Sequence, residues 1–412
     1  MFERRVPGGV VWALVHLALV GTACSGSSGK VGGEGRTQGE EGPDREVVMP
    51  DTRHAVSDGT RAVACAGIAF DGSVVADEQS EVDALALYCR IAGDLTITGS
   101  VTDVTPLQNL ASVGQRLEIS FCDSLTTVSL PALRDTGSLL VGYNLKLGSF
   151  TAHGLTVARE DAHVETNPAL TTLALHALAT VGGRLLLAGN GLIHLDGFGA
   201  LTSVGGQLNL AGNASLESLV SLSALETVGG LGITNNVSLE GLDGLSALSG
   251  IAHGLHVAGN TALTNLDGLQ QLEHVGDRIT IHNNPALTSL GGLSGVKGVL
   301  ARELDVSSNA ALTHLGGLDS ISSASSVTIS RNPALVTLEG LGGVARIEEF
   351  LRVTDNPALS RLIGLENLDF VGTMLSISNN EKLPACAATS FVSGVGTIGG
   401  AVTISGNLGT CP

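Results

Sequence analysis

The sequence predicts a mainly β protein, a right-handed parallel β-solenoid of about 14 rungs. The prediction rests on one motif, Leu-x-Ile/Val-x-x-Asn-x-Ala/Ser-Leu, which recurs about every 23 residues. Self-similarity at such a period indicates that each unit buries its apolar face against its neighbours. The Asn position of the motif falls at Asn144, Asn167, Asn190, Asn213, Asn236, Asn260, Asn284, Asn309, Asn332, Asn356, Asn380 and Asn407, and two degenerate copies carry Ser100 and Cys122 there.

One clear repeat, Ile279 to Leu293, shows how the motif is expected to fold. Ile279 and Ile281 alternate with polar residues, which is the period of a half-buried strand. Asn284 ends the strand, where an inward side chain can satisfy backbone groups of the bend. The leucines of 287–293 recur every three residues and are expected to point inward. Fourteen such strands, spaced about 4.8 Å apart, would make one parallel sheet about 60 Å long.

The composition narrows the classes of function. The formal net charge is -18, which disfavours nucleic acid because its binding depends on Lys and Arg neutralising phosphates. No Gly-x-Ser-x-Gly elbow, phosphate loop or HExxH sequence occurs. The carboxylates are scattered, without a pair suited to general acid and base catalysis. We therefore expect no enzyme and no cofactor.

The first 24 residues predict where the protein is located in the cell. Arg4 and Arg5 precede an apolar run over 10–20, and small residues follow before Cys24. This is the pattern of a secretory signal peptide, and the apolar run is too short to span a bilayer. The stretch resembles a bacterial lipobox, which implies acylation of Cys24 after export across the inner membrane. The protein would then be lipid-anchored in the cell envelope, at the outer membrane or the cell surface; simple secretion is the alternative.

Four further segments follow the signal peptide. Residues 25–64 are rich in Gly, Ser and mixed charge, which is typical of a flexible linker. Residues 65–94 are predicted to form an N-terminal cap and residues 95–380 the leucine-rich solenoid. Residues 381–412 would hold the last rung and a C-terminal cap.

The cysteines fit the ends of this solenoid. Cys122 occupies the Asn position, so we expect an isolated and buried thiol there. Four others lie at or just outside the two ends, where an exposed apolar rung needs a cap. A zinc site shared by all four is the alternative, but ends about 60 Å apart cannot share one ion. The pairs predicted as disulfides in an oxidising compartment are Cys65 with Cys89 and Cys386 with Cys411.

A family resemblance begins at Cys89. The segment Cys89-Arg-Ile-Ala-Gly-Asp-Leu-Thr-Ile97 resembles the opening of a receptor L domain, a leucine-rich module of receptor ectodomains. In that family a short capping helix precedes the Cys, and residues 80–88 would supply it here. The resemblance covers about residues 65–411. It implies extracellular recognition by a repeat surface; the receptor modules are shorter, so growth-factor binding is not carried over.

One part of the outward strand face is unlike the rest. Most outward positions are small and polar, but a candidate binding patch interrupts them. Outward aromatic and apolar residues that stack from rung to rung can bind a protein, here an unknown extracellular or envelope protein. An N-terminal cap folded over these residues is one alternative, and a passive envelope spacer without a ligand is another. The patch consists of Phe121, Leu140, Tyr143, His163 and Glu165.

The histidines are the remaining candidates for chemistry. Nine lie in the repeat region, but they occupy different positions of the motif. His256 and His282 are both outward on adjacent strands, offset by two residues. Solvated surface histidine is the simpler interpretation, so we expect no metal site.

Overall fold

The computed structural model describes residues 67–409. Within them the protein is mainly β, with one parallel sheet of 24 strands and a second sheet of three. Numbered β1 to β27 in chain order, the strands are Ile68–Phe70, Val74–Ala76, Tyr88–Ile91, Leu95–Ile97, Ser112–Ser120, Thr127–Ser129, Asp135–Gly142, Ser149–Thr151, Val157–Ala158, Ala162–Glu165, Thr172–Ala174, Thr180–Val181, Leu185–Ala188, Ser203–Ala211, Thr227–Thr234, Gly250–Ile251, Gly254–Ala258, His274–Val275, Arg278–His282, Gly298–Ser307, Ile321–Ser330, Arg346–Ile347, Phe350–Thr354, Phe370–Val371, Met374–Ser378, Thr397–Ile398 and Ala401–Ser405.

The motif strands form the main ladder of the large sheet. Each pairs in parallel with the same motif positions of the next repeat, so one apolar column passes through all of them. The column is buried from Leu95 to Leu375, while Val402 in the last strand is 44% exposed. The ladder begins one strand before Leu95, because β2 pairs Val74 with Leu95. The first inward position of the ladder reads Val74, Leu95, Leu117, Leu139, Ala162, Leu185, Leu208, Leu231, Leu255, Ile279, Leu304, Val327, Leu351, Leu375 and Val402.

A second ladder precedes the first by four residues and was not predicted. Its strands are mostly two residues long, such as β12 (Thr180–Val181) and β16 (Gly250–Ile251). Each places one residue inward, apolar except for Thr136, and these residues are buried from Val113 to Val275. Val113, Thr136, Ala158, Val181, Val204, Val228, Ile251 and Val275 follow one another in this register.

The predicted inward Asn column is confirmed at the strand exits from Asn144 to Asn407. Asn236 has no exposed surface. Its Oδ1 accepts from the Asn213 backbone N–H at 3.1 Å, and its Nδ2 donates to the Leu210 carbonyl at 2.9 Å. The same two bonds recur from Asn144 to Asn407. Each side chain therefore satisfies backbone groups of the repeat before it, which no strand partner reaches.

The residue before each Asn turns the chain with a left-handed backbone. Its φ lies between 56° and 70° in every repeat from Gly99 to Gly406. This conformation has a higher free energy for most L-residues, and Gly and Asn adopt it most readily. Five of these corner residues are Gly and three are Asn; the others are Phe121, Tyr143, Thr166, Ser308, Arg331 and Asp355.

Short helices and a small sheet lie elsewhere in the repeats. The three-stranded sheet joins β6, β8 and β11. Helix α2 lies between Asn380 and Asn407, which explains why that repeat is the longest. The helices are α1 (Gln79–Ala84), α2 (Ala385–Gly394) and the 3-10 helices Leu85–Leu87, Thr105–Asn109, Asp196–Phe198, Val220–Leu222, Asp243–Leu245 and Gly291–Leu293.

The cysteines can be placed only in part. Cys122 is a free and buried thiol, as its position predicted; its Sγ lies 3.5 Å from the Ser120 carbonyl oxygen. Burial, together with the smaller effect of the Asp123 carboxylate, raises the pKa of this thiol to about 12. Cys89 and Cys386 are disulfide-bonded. Cys24, Cys65 and Cys411 lie outside the described residues, as does the segment 1–64, so the pairings, the lipobox and the linker stay predictions.

Candidate functional site

The predicted patch is brought together across three neighbouring repeats. Leu140 lies mid-strand in β7, with Glu118 on one side and His163 on the other. Glu165 ends β10, and its carbonyl accepts from the Tyr143 N–H at 3.1 Å. Phe121 precedes Tyr143 by one repeat in the corner column. The ladder register therefore makes these residues neighbours.

Phe121 and Tyr143 form a stacked pair. Their ring centroids are 4.9 Å apart and the ring planes differ by 6°. This separation matches the strand spacing of about 4.8 Å, so the ring faces are directed along the ladder. Both residues hold left-handed corner positions, with φ of 57° and 59°. Such a backbone is a genuine outlier for a bulky residue and costs about 1–2 kcal/mol.

The pair is open to solvent. Phe121 is 57% exposed and Tyr143 38%. Residues 67–409 therefore leave both rings accessible, contrary to the alternative in which the N-terminal cap covers them. Helix α1, which ends at Ala84, is shorter than the predicted capping helix over 80–88, and 3-10 helix Leu85–Leu87 follows it.

The strand side of the patch combines the apolar Leu140 with the polar His163 and Glu165, all of them half-buried. Gly142 carries no side chain, and a Cβ there would lie 3.4 Å from Glu165 Cγ and 3.9 Å from Leu140 Cδ1. His163 Nε2 lies 3.7 Å from the Asp161 carboxylate. The Glu165 carboxylate raises the pKa of Tyr143, and partial burial adds to it. Glu165 therefore places negative charge beside the stacked rings.

Leu145 extends the patch and was missed from the sequence. It follows the buried Asn144 and is 57% exposed. The equivalent position holds Pro, Ala or another small residue in many repeats, for example Pro168 and Pro285. A large apolar residue at this position of the motif could have indicated from the sequence that Leu145 belongs to the patch.

A second group of interacting side chains lies on the same outward face, around His256. The rings of His256 and His282 are 5.1 Å apart, and His256 Nδ1 lies 2.6 Å from Thr280 Oγ1. The pKa of His256 is lowered to about 4, mainly by burial and to a smaller extent by the neighbouring His282 and Arg278.

Two carboxylates continue this second group on the next strand. Asp305 pairs with Thr280 in register. Its Oδ1 is buried without a hydrogen-bond partner among residues 67–409. Burial raises the pKa of Asp305. Burial also raises the pKa of Glu303, with the Asp305 charge as a second cause.

Two other histidines are in contact from one repeat to the next, contrary to the expectation that the histidines share no column. His153 and His176 lie one repeat apart, with their Nδ1 atoms 2.9 Å from each other. Even so, no group of three metal-ligating side chains occurs within 67–409. In the same range no helix has the length and apolar character needed to cross a bilayer.

Comparisons with known proteins add no further assignment. No protein-family model matches the chain, and no match to a curated protein reaches significance. The candidate site therefore rests on its own geometry, in which the Phe121–Tyr143 stack is the most distinctive feature.

Proposed function

We propose that this protein is a cell-envelope recognition module that binds a protein partner through one face of its repeat sheet. The exposed, stacked Phe121–Tyr143 pair is the observation that carries the proposal. Each ring occupies a corner where Gly or Asn would cost less, and backbone strain of this kind is characteristic of functional sites. Exposed aromatic side chains are also enriched among the residues that dominate binding energy.

The scaffold that we propose is a right-handed β-solenoid of about 14 rungs, of receptor L-domain type, with disulfide-capped ends. The parallel pairing from Val74 to Val402 and the buried Asn column support it. In such a scaffold each repeat contacts only its neighbours, so the outward residues of a few rungs can change without altering the rest. This property suits a binding surface.

The place of action that we propose is the cell envelope. A lipidated Cys24 would anchor the chain, and the 25–64 segment would hold the repeat body away from the membrane. One acyl chain binds a membrane marginally, whereas several bind stably.

The test is capture of a partner from solubilised native envelope with the full-length chain as bait. The test variant replaces both rings by Asn (Phe121→Asn with Tyr143→Asn), because Asn tolerates the left-handed corner. The matched control replaces two later corner residues in the same way (Arg331→Asn with Asp355→Asn), since their φ values are 56° and 58°.

We expect the wild type and the control to retain the same partner and the test variant to lose it. Equal retention by all three would place the binding surface elsewhere and refute the role of the rings. No retained protein with any bait would favour the passive envelope spacer.

A further inference from the structure

Among residues 67–409, the corner before Phe121 has no side chain that could continue the Phe121–Tyr143 stack. The rings lie along the corner column, so Tyr143 covers one face of Phe121 and the other is directed toward the preceding corner. That corner is Gly99, whose φ is 67°. Since a glycine has no side chain, the position that would continue the stack is vacant.

The far side of this position is acidic. A Cβ placed on Gly99 would lie 2.7 Å from the Asp77 carbonyl oxygen and 3.3 Å from the Asp77 Cβ, so the backbone of Asp77 closes the base of the vacant position and its side chain borders it. Asp77 is exposed, and its carboxylate makes no hydrogen bond or ion pair within residues 67–409. Its neighbour Glu78 is also exposed, while Glu81 already accepts from the backbone N–H groups of both residues.

The cation of strand β5, which leads to Phe121, is paired with a different carboxylate. Arg116 Nη1 lies 3.7 Å from the Glu118 carboxylate, which also accepts from Ser120 Oγ. On the other side of the stack, Glu165 is a further carboxylate without a side-chain partner in the described part of the chain. The rings are therefore flanked by unpaired negative charge, within a chain of net charge -18.

We infer that the position over Gly99 receives an arginine side chain of the protein partner, stacked on the open face of Phe121 and paired with the Asp77 carboxylate. A guanidinium is planar, stacks on aromatic rings and matches a carboxylate with two parallel hydrogen bonds. Lysine offers charge without the planar surface, and a neutral aromatic ring gains nothing from Asp77. This inference rests on the proposed function, because it names the chemistry of the partner at the same site.

The test uses Nα-acetyl-arginine methylamide with the full-length protein, followed by saturation-transfer NMR on the ligand. Nα-acetyl-citrulline methylamide is the matched ligand, because it keeps the planar shape and loses the charge. We expect the citrulline ligand to bind about tenfold more weakly, as the loss of a cation–π contact and an ion pair predicts.

The protein variants separate the ring from the charge. Phe121→Asn and Asp77→Asn should each weaken binding of the arginine ligand several-fold, while Arg331→Asn should leave it unchanged. Circular dichroism melts establish that each variant is folded. Equal saturation by the arginine and citrulline ligands, or wild-type binding by folded Phe121→Asn, would overturn the inference.

The two proposals can fail separately. If the ring variants lose the envelope partner but the arginine ligand does not bind, recognition by the rings stands and the arginine assignment is wrong. If the arginine ligand binds over Gly99 but partner capture does not depend on the rings, the assignment of the vacant position stands and the proposed function is wrong.

Discussion

The buried Asn column makes a quantitative prediction about stability. Asn236→Ala removes the acceptor of the Asn213 N–H and the donor to the Leu210 carbonyl, which are at 3.1 Å and 2.9 Å. Both backbone groups would be left buried and unpaired, at about 1–3 kcal/mol each, so unfolding should become easier by about 2–6 kcal/mol.

The neighbouring residue supplies the control. Asn235 is exposed and has a φ of 56°. Asn235→Gly keeps that backbone conformation accessible, so its cost should stay below about 1 kcal/mol, the entropy that Gly adds to the unfolded chain. A Ser there would be a poorer control, because it lacks the left-handed preference of Asn.

Two measurements check the prediction. Urea unfolding followed by circular dichroism compares the two variants, and hydrogen exchange reports the Asn213 amide directly. That amide should exchange on the order of 10- to 100-fold faster in Asn236→Ala. Equal stability of the two variants, with unchanged exchange at Asn213, would refute the argument that the Asn side chains hold the corners.

Three further predictions concern the anchor, the thiols and the aromatic patch. Cys24→Ser should move the protein from the detergent phase to the aqueous phase on phase partitioning; continued membrane association would place the anchor elsewhere. Non-reducing peptide mapping should find the two predicted disulfides, each worth about 3 kcal/mol in the chain-entropy model, and iodoacetamide should label Cys122 only after unfolding. Glu165→Gln should lower the pKa of Tyr143 toward its ordinary value, because the carboxylate is the main cause of the raised pKa. An ultraviolet pH titration measures this shift, with the buried Tyr88 as the only other tyrosine; an unchanged titration would mean that the two groups do not interact.

Much of the fold could be predicted because it repeats. The alternation around Ile279 predicted the parallel strands, and the invariant place of Asn predicted its inward side chain. The motif also predicted that Cys122, standing in the Asn position, is a buried free thiol. Each of these follows from periodicity, which is the strongest secondary-structure signal in a sequence.

Other features carry no periodic signal. The second ladder has strands as short as β16 (Gly250–Ile251), too short for alternation to be visible. The first motif strand, Val74–Ala76, lacks both the Leu and the Asn. The left-handed corner was also missed. The hydrogen bonds of the ladder fix this turn, so residues as different as Phe121 and Arg331 can occupy it and no residue type marks it in the sequence.

The candidate site was predicted as a set of residues but not as a geometry. Outward placement of Phe121 and Tyr143 followed from the motif, whereas the parallel stacking of the rings depends on the shared corner conformation. The vacancy over Gly99 depends on the same conformation together with the position of Asp77, which lies before the first clear repeat. Long-range neighbours of this kind are visible only once the register is known.

The direction of the Asn bonds has a consequence for how such a chain can change length. Every Asn side chain reaches back to the repeat before it, and none needs more than that one neighbour. Removing one unit, such as residues 237–260, would make Asn284 the next Asn after Asn236. Its side chain would then meet the same kinds of backbone N–H and carbonyl groups in the repeat before it. Gene duplication or deletion of whole units is thus compatible with the corner chemistry, whereas a shift of one residue within a unit would disconnect two repeats.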